Sequence, residues 1–332
     1  MYHFTVVDNP AEREQITENA QTPFVTLDWL RFVCEYSGAK PYIIKVSCSE
    51  NYLGYLCGAM IKKGPIKIFG SPFIGWRAPY MGFSMEQQVD FSSVLDQAID
   101  YISNELGCHY ITFCDRNISS EIINASDHKF ILGDCHASYY IDLTKSEEEL
   151  LGNFRRDQRQ NVAKFAKTGC KVEEDYSDLF IRTHLDQFKE VYARHGLAAP
   201  DYTRKTEAIF KNTADKMLLS IKALSPEGMN IATSYYVYYN TKACFLGNAS
   251  YSEYLGYRPN QALMWHAIKY LKRIGVETLD LNGRDGYKAN YGGEYVVTPS
   301  FIYTKYRWIY SALHFVPKAY HSFLELRHFL KN

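Results

Sequence analysis

Apolar residues recur at helical spacing in two places that lie half a chain apart. In the first place they span residues 91–106, and an apolar strand follows at 109–114. In the second they span residues 263–274, and a strand follows at 277–281. Each helix ends at a glycine and is preceded by strand-like residues that run into a loop. The pattern predicts two copies of one α/β unit, each a mixed sheet flanked by helices.

The residues between the two copies predict further helices and strands. Two overlapping capping boxes, Thr144 to Glu147 and Ser146 to Glu149, predict the start of one long helix whose apolar face includes Phe154 and Phe165. Two more helices are expected at 178–195 and 203–215, and strands at 217–224, 231–239 and from 243.

This pattern divides the chain into a first domain at 1–138 and a second at 139–309. The last segment, 310–332, is aromatic and basic. It suits packing back onto the first domain, and also peripheral contact with an anionic membrane surface.

Composition is that of a soluble globular protein: 46% of the 332 residues are hydrophobic and 22% are charged. Basic and acidic residues both total 37, so any attraction to phosphates must come from local patches. The eight cysteines form no C-x-x-C pair, and no signal peptide or apolar run of about 18 residues is visible. We therefore expect a cytoplasmic protein.

Several sequence motifs of common enzymes are absent. The chain has no G-x-G-x-x-G, G-K-[ST], H-E-x-x-H or G-x-S-x-G, and no paired Cys/His spacing. This argues against dinucleotide, P-loop, zinc-protease and hydrolase sites, and no metal is assigned.

A basic stretch follows the capping boxes. Arg155, Arg156 and Arg159 precede three lysines, and only Asp157 opposes them within the stretch. Guanidinium and ammonium groups in this density suit a nucleotide pyrophosphate or a tRNA backbone. The alternative is a solvated helix face paired with nearby glutamates.

Two further sites could bind substrate. Arg258 and Asn260 flank Pro259 at the start of the second-copy helix, where free N–H groups favour an anion, although an ordinary helix cap has the same sequence. In the first domain, the loop at 70–82 contains Trp76, Arg77 and Tyr80, which suit the lining of a cleft or the packing of a structural loop.

Lys288 is the strongest catalytic candidate. It lies in Gly-Tyr-Lys-Ala-Asn-Tyr-Gly-Gly at 286–293, where the glycines let backbone approach a ligand. A cation in this position can stabilise an oxyanion as an acyl carbonyl is attacked. The alternative is a solvated loop lysine.

Four segments together resemble the FemABX group of peptidoglycan-bridge aminoacyltransferases. Residues 157–171 (DQRQNVAKFAKTGCK) are similar to its basic helix, and residues 249–270 to its A-S-x-E-Y-x-x-L-x-P-N segment. Residues 278–283 are similar to its Y-D-L-G-G strand, and residues 287–293 to its F-K-x-x-F-G-G motif. The match is best across 140–300.

The resemblance implies two tandem GNAT-like domains and roles for particular residues. Lys288 would lie near the acyl carbonyl and donor phosphate, and Arg159 and its neighbours would face the acceptor's phosphates. Asn282 and Tyr291, which lie in the third and fourth segments, join the substrate-binding candidates. Two features depart from known patterns: Val33 stands where many members carry a lysine, and Tyr257 to Ala262 lacks the R-x-x-G-x-G loop of CoA-dependent GNAT enzymes.

These inferences lead to one main hypothesis and two rivals. The main one is an acyltransferase with no tightly bound cofactor, which takes an aminoacyl or acyl group from aminoacyl-tRNA or acyl-CoA. Its acceptor would be an amine on a nucleotide- or lipid-linked sugar or peptide of the cell envelope. The rivals are an acetyl-CoA-dependent N-acetyltransferase of an amino sugar in capsule or O-antigen synthesis, and a non-catalytic duplicate that binds tRNA or a partner. Asp280, Asp285, Glu294 or a substrate phosphate are the candidate general bases, and the sequence selects no oligomeric state.

Overall fold

The first of two mixed sheets is formed by strands from the N-terminal part of the chain and one strand from near its end. The computed structural model describes residues 1–73, 76 and 78–313. The strands of the first sheet are β1 (Tyr2–Val6), β2 (Lys40–Cys48), β3 (Asn51–Lys63), β4 (Ile66–Ser71), β5 (Gly82–Met85), β6 (Tyr110–Cys114), β7 (Ile131–Leu132) and β15 (Ser300–Thr304). Their order is β1-β2-β3-β4-β6-β15-β7, and β5 pairs with β3.

The second sheet is built from the following part of the chain. Its strands are β8 (His136–Asp142), β9 (Lys171–Glu174), β10 (Leu218–Leu224), β11 (Asn230–Tyr239), β12 (Lys242–Ser250), β13 (Thr278–Asp280) and β14 (Glu294–Thr298). Their order is β14-β8-β13-β12-β11-β10-β9. Each sheet contains one parallel pair, β4 with β6 and β12 with β13, and the remaining neighbours are antiparallel.

Helices cover both sheets. They are α1 (Pro10–Thr17), α2 (Leu27–Ser37), α3 (Phe91–Asp100), α4 (Ser120–Ala125), α5 (Glu147–Asn153), α6 (Arg156–Ala166), α7 (Asp178–Arg194), α8 (Thr203–Met217) and α9 (Pro259–Arg273). Helix α9 packs on one face of the second sheet together with α6, whereas α7 and α8 cover the other face and α8 contacts α2. Helices α3 and α9 each connect the two strands of a parallel pair, so the predicted α/β fold with two mixed sheets is confirmed.

The single long helix predicted after the capping boxes is wrong. The chain forms two helices, α5 and α6, because Phe154 leaves the helix and packs edge-on against Trp265 and Tyr291 in the core. Arg159 donates from its guanidinium to the carbonyls of Gly152 and Phe154, which satisfies the end of α5. The apolar spacing predicted the buried face correctly but could not show this break.

The chain returns to the first sheet near its end. β15, which lies within the residues expected to form the second domain, pairs with β6 and β7. Ile309 and Leu313 then pack against Ile68 and Tyr110 of the first sheet. The rest of the C-terminal segment, residues 314–332, lies outside the described residues. In the part of the chain that the structure describes, no helix is long and apolar enough to cross a membrane.

Candidate functional site

The parallel strands of the second sheet separate partway along their length. β12 and β13 pair only through Lys242–Cys244 and Thr278–Asp280. β12 continues to Ser250, while β13 ends at Asp280 and the chain enters a loop. Within the described part of the chain, this edge of β12 therefore has no strand partner from Phe245 onward. We call the opening between β12 and β13 that begins here the gap. In the first sheet, β4 stays paired with β6 up to its last residue, Ser71, so the gap is a feature of the second sheet.

A β-bulge lies beside this gap. Tyr236 pairs with Phe245 and Tyr235 with Gly247, which leaves Leu246 as an extra residue in β12. Phe245 packs in the core under α9, and Leu246 packs in the core under α7 and α8. The strand thus bends where the gap opens and presents side chains to both faces.

The loop after β13 is fixed by a buried carboxylate. Asp280 Oδ1 accepts hydrogen bonds from the Ser138 hydroxyl at 2.5 Å and from the Asn282 N–H at 2.6 Å. The Ser138 hydroxyl also accepts from the Gly283 N–H at 3.1 Å. Asn282 and Gly283 both have positive φ, 53° and 127°, so the chain turns sharply and leaves the direction of the strand.

Lys288 lies in this loop, on a short 3₁₀ helix, with only 4% of the residue exposed. Its Nζ donates to the Asn282 carbonyl at 2.7 Å and lies 2.8 Å from Asp285 Oδ2. The same nitrogen lies 5.8 Å from the ring centre of Phe245, the first residue of β12 beyond its pairing with β13. A Cβ on Gly283 would lie 3.0 Å from this nitrogen, so a larger residue would have to shift the Lys288 side chain slightly, and the φ of 127° also favours glycine here. Lys288 is therefore a buried, positioned cation at the gap.

One carboxylate oxygen of Asp280 faces a histidine and accepts no hydrogen bond in the described chain. Its Oδ2 lies 3.7 Å from His136 Nε2, and both atoms, together with the Tyr140 hydroxyl, are buried without a hydrogen-bond partner among the described residues. Burial alone would raise the pKa of Asp280, but His136, Ser138 and Asn282 together lower it below its usual value. Buried polar atoms without partners are uncommon in proteins, so this cluster has unused capacity to bind a polar group.

Cys244 is the nearest thiol to the gap, and its surroundings oppose thiolate formation. Burial, followed by the negative charge of Asp280, raises its pKa well above the usual value. This cysteine is thus unsuited to serve as a covalent nucleophile.

The predicted phosphate-binding arginines have different surroundings. Arg155 is exposed and pairs with Asp157 at 2.6 Å, and its backbone N–H donates to the Asn290 carbonyl in the Lys288 loop. Arg156 is exposed on α6. Arg159 uses its guanidinium on the α5 carbonyls described above. The structure thus brings the start of α6 next to the loop that contains Lys288. Arg156 is exposed and forms no ion pair with the described residues, unlike Arg155.

The other predicted binding residues of the second domain have different surroundings. Arg258 is exposed at the start of α9 with φ 64°, while Asn260 donates to the Ser250 hydroxyl at 3.2 Å and keeps a buried Oδ1 without a partner in the described chain. Asn282 holds Lys288 through its carbonyl. Tyr291, by contrast, is buried in the core against Phe154.

In the first-domain loop, Trp76 is buried and packs edge-on against Phe73. Tyr80 is also buried, but it lines a cavity of about 220 Å³. Arg77 lies outside the described residues.

The sequence did not single out Arg116, His136, Ser138 or Lys242, which surround Asp280 and this cavity. The signal that could have indicated part of this set is the alternation His136, Ser138, Tyr140, which puts three polar side chains on one face of β8. Arg116 and Lys242 are more than a hundred residues apart, so no local pattern connects them.

A known family matches the part of the chain that contains this site. Residues 152–291 match the family described as acetyltransferase (GNAT) domain, a range that includes the gap, Asp280 and Lys288. This part of the chain is thus similar to a GNAT acetyltransferase domain, and the two mixed sheets have the fold of two tandem GNAT-like domains. Among the described residues, no group of His, Cys, Asp and Glu could hold a metal ion.

Solved structures share this fold along nearly the whole chain. FemX superposes with a TM-score of 0.75 at 14% identity, covering 94% of this chain and 99% of FemX. L-PGS from Bacillus licheniformis superposes at 0.53 with 13% identity, covering 90% of this chain and 93% of its own. A tandem GNAT protein from the clavulanic acid biosynthesis pathway superposes at 0.52 with 10% identity, covering 92% and 98%. No curated protein matches the sequence. At the level of the fold, the resemblance to the FemABX group is confirmed.

Proposed function

We propose that this protein transfers an aminoacyl or acyl group to an amine of a cell-envelope precursor, either of peptidoglycan or of a surface polysaccharide. The observation that carries the proposal is the buried Lys288 ammonium beside the gap between β12 and β13. When an amine attacks an ester or thioester carbonyl, the carbonyl oxygen gains negative charge. A fixed cation in a site that excludes water stabilises this charge without having to reorganise.

The reaction needs no covalent nucleophile on the protein. The acceptor nitrogen forms a bond to the carbonyl carbon, the bond from that carbon to the donor oxygen or sulfur breaks, and the leaving group takes up a proton. The acceptor ammonium must first lose a proton. Alignment of the two substrates in the gap then supplies much of the rate.

For the proton acceptor we propose Asp280 together with His136. Asp280 keeps one oxygen without a hydrogen bond in the described chain, 3.7 Å from the imidazole. Asp285 is engaged with Lys288, and Glu294 is exposed on β14, where it pairs in register with Tyr140. Of the three carboxylates near the site, Asp280 is therefore the one that is both buried and incompletely bonded.

Two donors suit different parts of the surface. An aminoacyl-tRNA would place its phosphates on the basic face of α6, which the hydrogen bond from Arg155 to Asn290 joins to the Lys288 loop. An acyl-CoA would place its pyrophosphate at the start of α9, where Pro259 is the first residue and no side chain caps the N–H groups in the described chain.

The second candidate function is N-acetylation of an amino sugar with acetyl-CoA, in capsule or O-antigen synthesis. It is favoured by the acetyltransferase description of the family that residues 152–291 match. Both candidates use the same gap and the same lysine, and they differ in donor and acceptor.

The domain limits and the location of the protein are part of the same proposal. The proposed boundary between a first domain at 1–138 and a second at 139–309 lies within β8, close to where the chain passes from the first sheet to the second, and β15 is a returning strand. We propose that the protein acts in the cytoplasm, where both donors are made.

The test is a donor comparison with the purified protein. Aminoacylated tRNA and acetyl-CoA are offered separately with amine acceptors from peptidoglycan and polysaccharide synthesis, and the products are identified by mass spectrometry. Transfer from charged tRNA supports the main proposal, and transfer from acetyl-CoA to an amino sugar supports the second. Binding of tRNA without transfer from either donor would contradict both and identify a non-catalytic duplicate.

A further inference from the structure

A cavity of about 220 Å³ lies where the first sheet meets the second. Gln21, Thr22, Tyr80, Arg116 and Asn117 line it from the N-terminal half of the chain, and Lys242 at the start of β12 lines it from the second sheet. It is distinct from the basic face of α6 and from the start of α9.

Two cations line this cavity, with carboxylates nearby but none within salt-bridge distance in the described residues. Among the described residues, neither Arg116 nor Lys242 forms a salt bridge, and the one hydrogen bond of the Lys242 ammonium goes to the Thr278 hydroxyl at 3.1 Å. Arg116 also acts on Lys242: burial, and next the charge of Arg116, lower the pKa of Lys242, while Glu277 and Asp142 act in the opposite direction. Two cations without a salt bridge in one concave site favour an anion.

The guanidinium of Arg116 is held in place by aromatic rings. Its central carbon lies 4.4 Å from the ring centre of Tyr140 and 5.4 Å from that of Tyr80. The guanidinium also interacts with the Tyr80 hydroxyl, but it has five N–H donors, so others are left for a ligand.

The carboxylate that lines the same cavity is engaged by backbone donors and forms no salt bridge with either cation in the described chain. Asp115 accepts hydrogen bonds at 2.6 Å from the Phe83 N–H and at 2.7 Å from the Asn117 N–H, one on each oxygen. Burial raises its pKa to about 7, so it carries only part of a negative charge near neutral pH.

The cavity is connected to the gap by polar groups on one face of the second sheet. Lys242 and Cys244 are on the same face of β12, because side chains alternate along a strand. The unpartnered atoms of Asp280, His136 and Tyr140 lie on this face as well. From Lys242 to Phe245, where the strands have separated, the distance along β12 is about 10 Å at about 3.3 Å per residue.

We infer that this cavity is a binding subsite for a compact anionic group, a carboxylate or a phosphate, of the acyl acceptor. Arg116 and Lys242 hold the anion, and the acceptor amine reaches the gap about 10 Å away. In naming the acceptor, the inference rests on the proposed function. The anion site itself does not depend on turnover.

Binding of small probes tests the subsite without any donor. N-acetylglycine and its uncharged analogue N-acetylglycinamide are titrated into the full-length protein by calorimetry at constant chloride, and inorganic phosphate is titrated separately. We expect either N-acetylglycine to bind at least tenfold more tightly than the amide, or phosphate to bind, and the arm that binds identifies the anion. Arg116→Gln and Lys242→Met should each weaken this binding at least tenfold.

The controls are Arg31→Gln and Lys63→Met, which remove the same charges from exposed positions elsewhere in the first sheet region. They should leave binding unchanged. Thermal unfolding of each variant checks the fold, and if Arg116→Gln unfolds, Lys242→Met decides. Equal binding of acid and amide with no binding of phosphate would overturn the inference, as would equal losses in the control variants. Because no acyl group is transferred, failure here leaves the Lys288 proposal standing, and failure of transfer leaves the anion site standing.

Discussion

Asp115 gives a prediction whose sign and size follow from its surroundings. The residue is 1% exposed at the end of β6, and burial raises the pKa of its carboxyl to about 7, although the N–H groups of Phe83 and Asn117 act in the opposite direction. In the unfolded chain the same carboxyl titrates near 3.8. Between these values the folded protein keeps a proton that the unfolded chain has lost, so the stability from this group is complete below pH 3.8 and is lost as the pH rises to about 7.

The perturbation is Asp115→Asn, which is uncharged at every pH. Asparagine has one acceptor oxygen in place of two, so one of the two N–H groups loses its partner at a cost of about 1–3 kcal/mol that is independent of pH. For the wild type, each pH unit between 5 and about 7 removes about 1.4 kcal/mol relative to the variant, or about 3 kcal/mol in total.

Urea unfolding at pH 5, 6, 7 and 8 measures the difference between the two proteins. We expect the wild type to be the more stable at pH 5, and its advantage to shrink or reverse by pH 8. Comparison of the two proteins cancels the groups that they share. A difference that stays constant over this range, or that grows with pH, would refute the reasoning about Asp115.

Two further substitutions test the packing around the site. A Cβ on Gly82, whose φ is 99°, would lie 1.9 Å from Asp115 Oδ2. We therefore expect Gly82→Ala to lower the free energy of unfolding by more than about 2 kcal/mol, as is usual for steric overlap in a core. The control Gly256→Ala, which has open space around it, should change this free energy by less than about 0.5 kcal/mol. Similar losses in both glycine variants would contradict this. Arg159→Met removes the hydrogen bonds to the α5 carbonyls and should cost about 1–3 kcal/mol of stability, whereas Arg156→Met should leave stability unchanged and weaken binding of the phosphate-bearing donor. Urea unfolding and a donor titration distinguish the two, and the opposite assignment of effects would show that Arg159 is the one that binds phosphate.

Local patterns in the sequence were enough to predict most of the fold. The apolar spacing indicated α9 and the strand after it, because a buried helix face and a buried strand each leave a period in the sequence. Of the two predicted capping boxes, the one from Ser146 to Glu149 caps α5. The glycine-flanked loop and the resemblance to the F-K-x-x-F-G-G motif made Lys288 a candidate, and the structure places this residue in a buried position near Phe245.

The features that depend on long-range pairing could not be predicted in this way. The gap exists because β13 ends at Asp280 while β12 continues. The sequence of either strand alone does not determine how the two pair. Asp280, His136 and Arg116 meet across the boundary between the two sheets, and only the folded chain brings them together. The break at Phe154 likewise depends on Trp265 and Tyr291, which lie more than a hundred residues away.

The most direct measurement of the central claim is the turnover of Lys288→Met with the donor that the transfer assay identifies. Methionine keeps the length and apolar stem of lysine but removes the ammonium, so an oxyanion in the gap loses its fixed cation. We predict that kcat falls by about 10²–10³ while the Kd of the donor changes by less than about threefold. Lys63→Met, at an exposed lysine of the first sheet, serves as the matched control and should keep wild-type turnover. A folded Lys288→Met protein whose kcat stays within a few-fold of wild type would contradict the account.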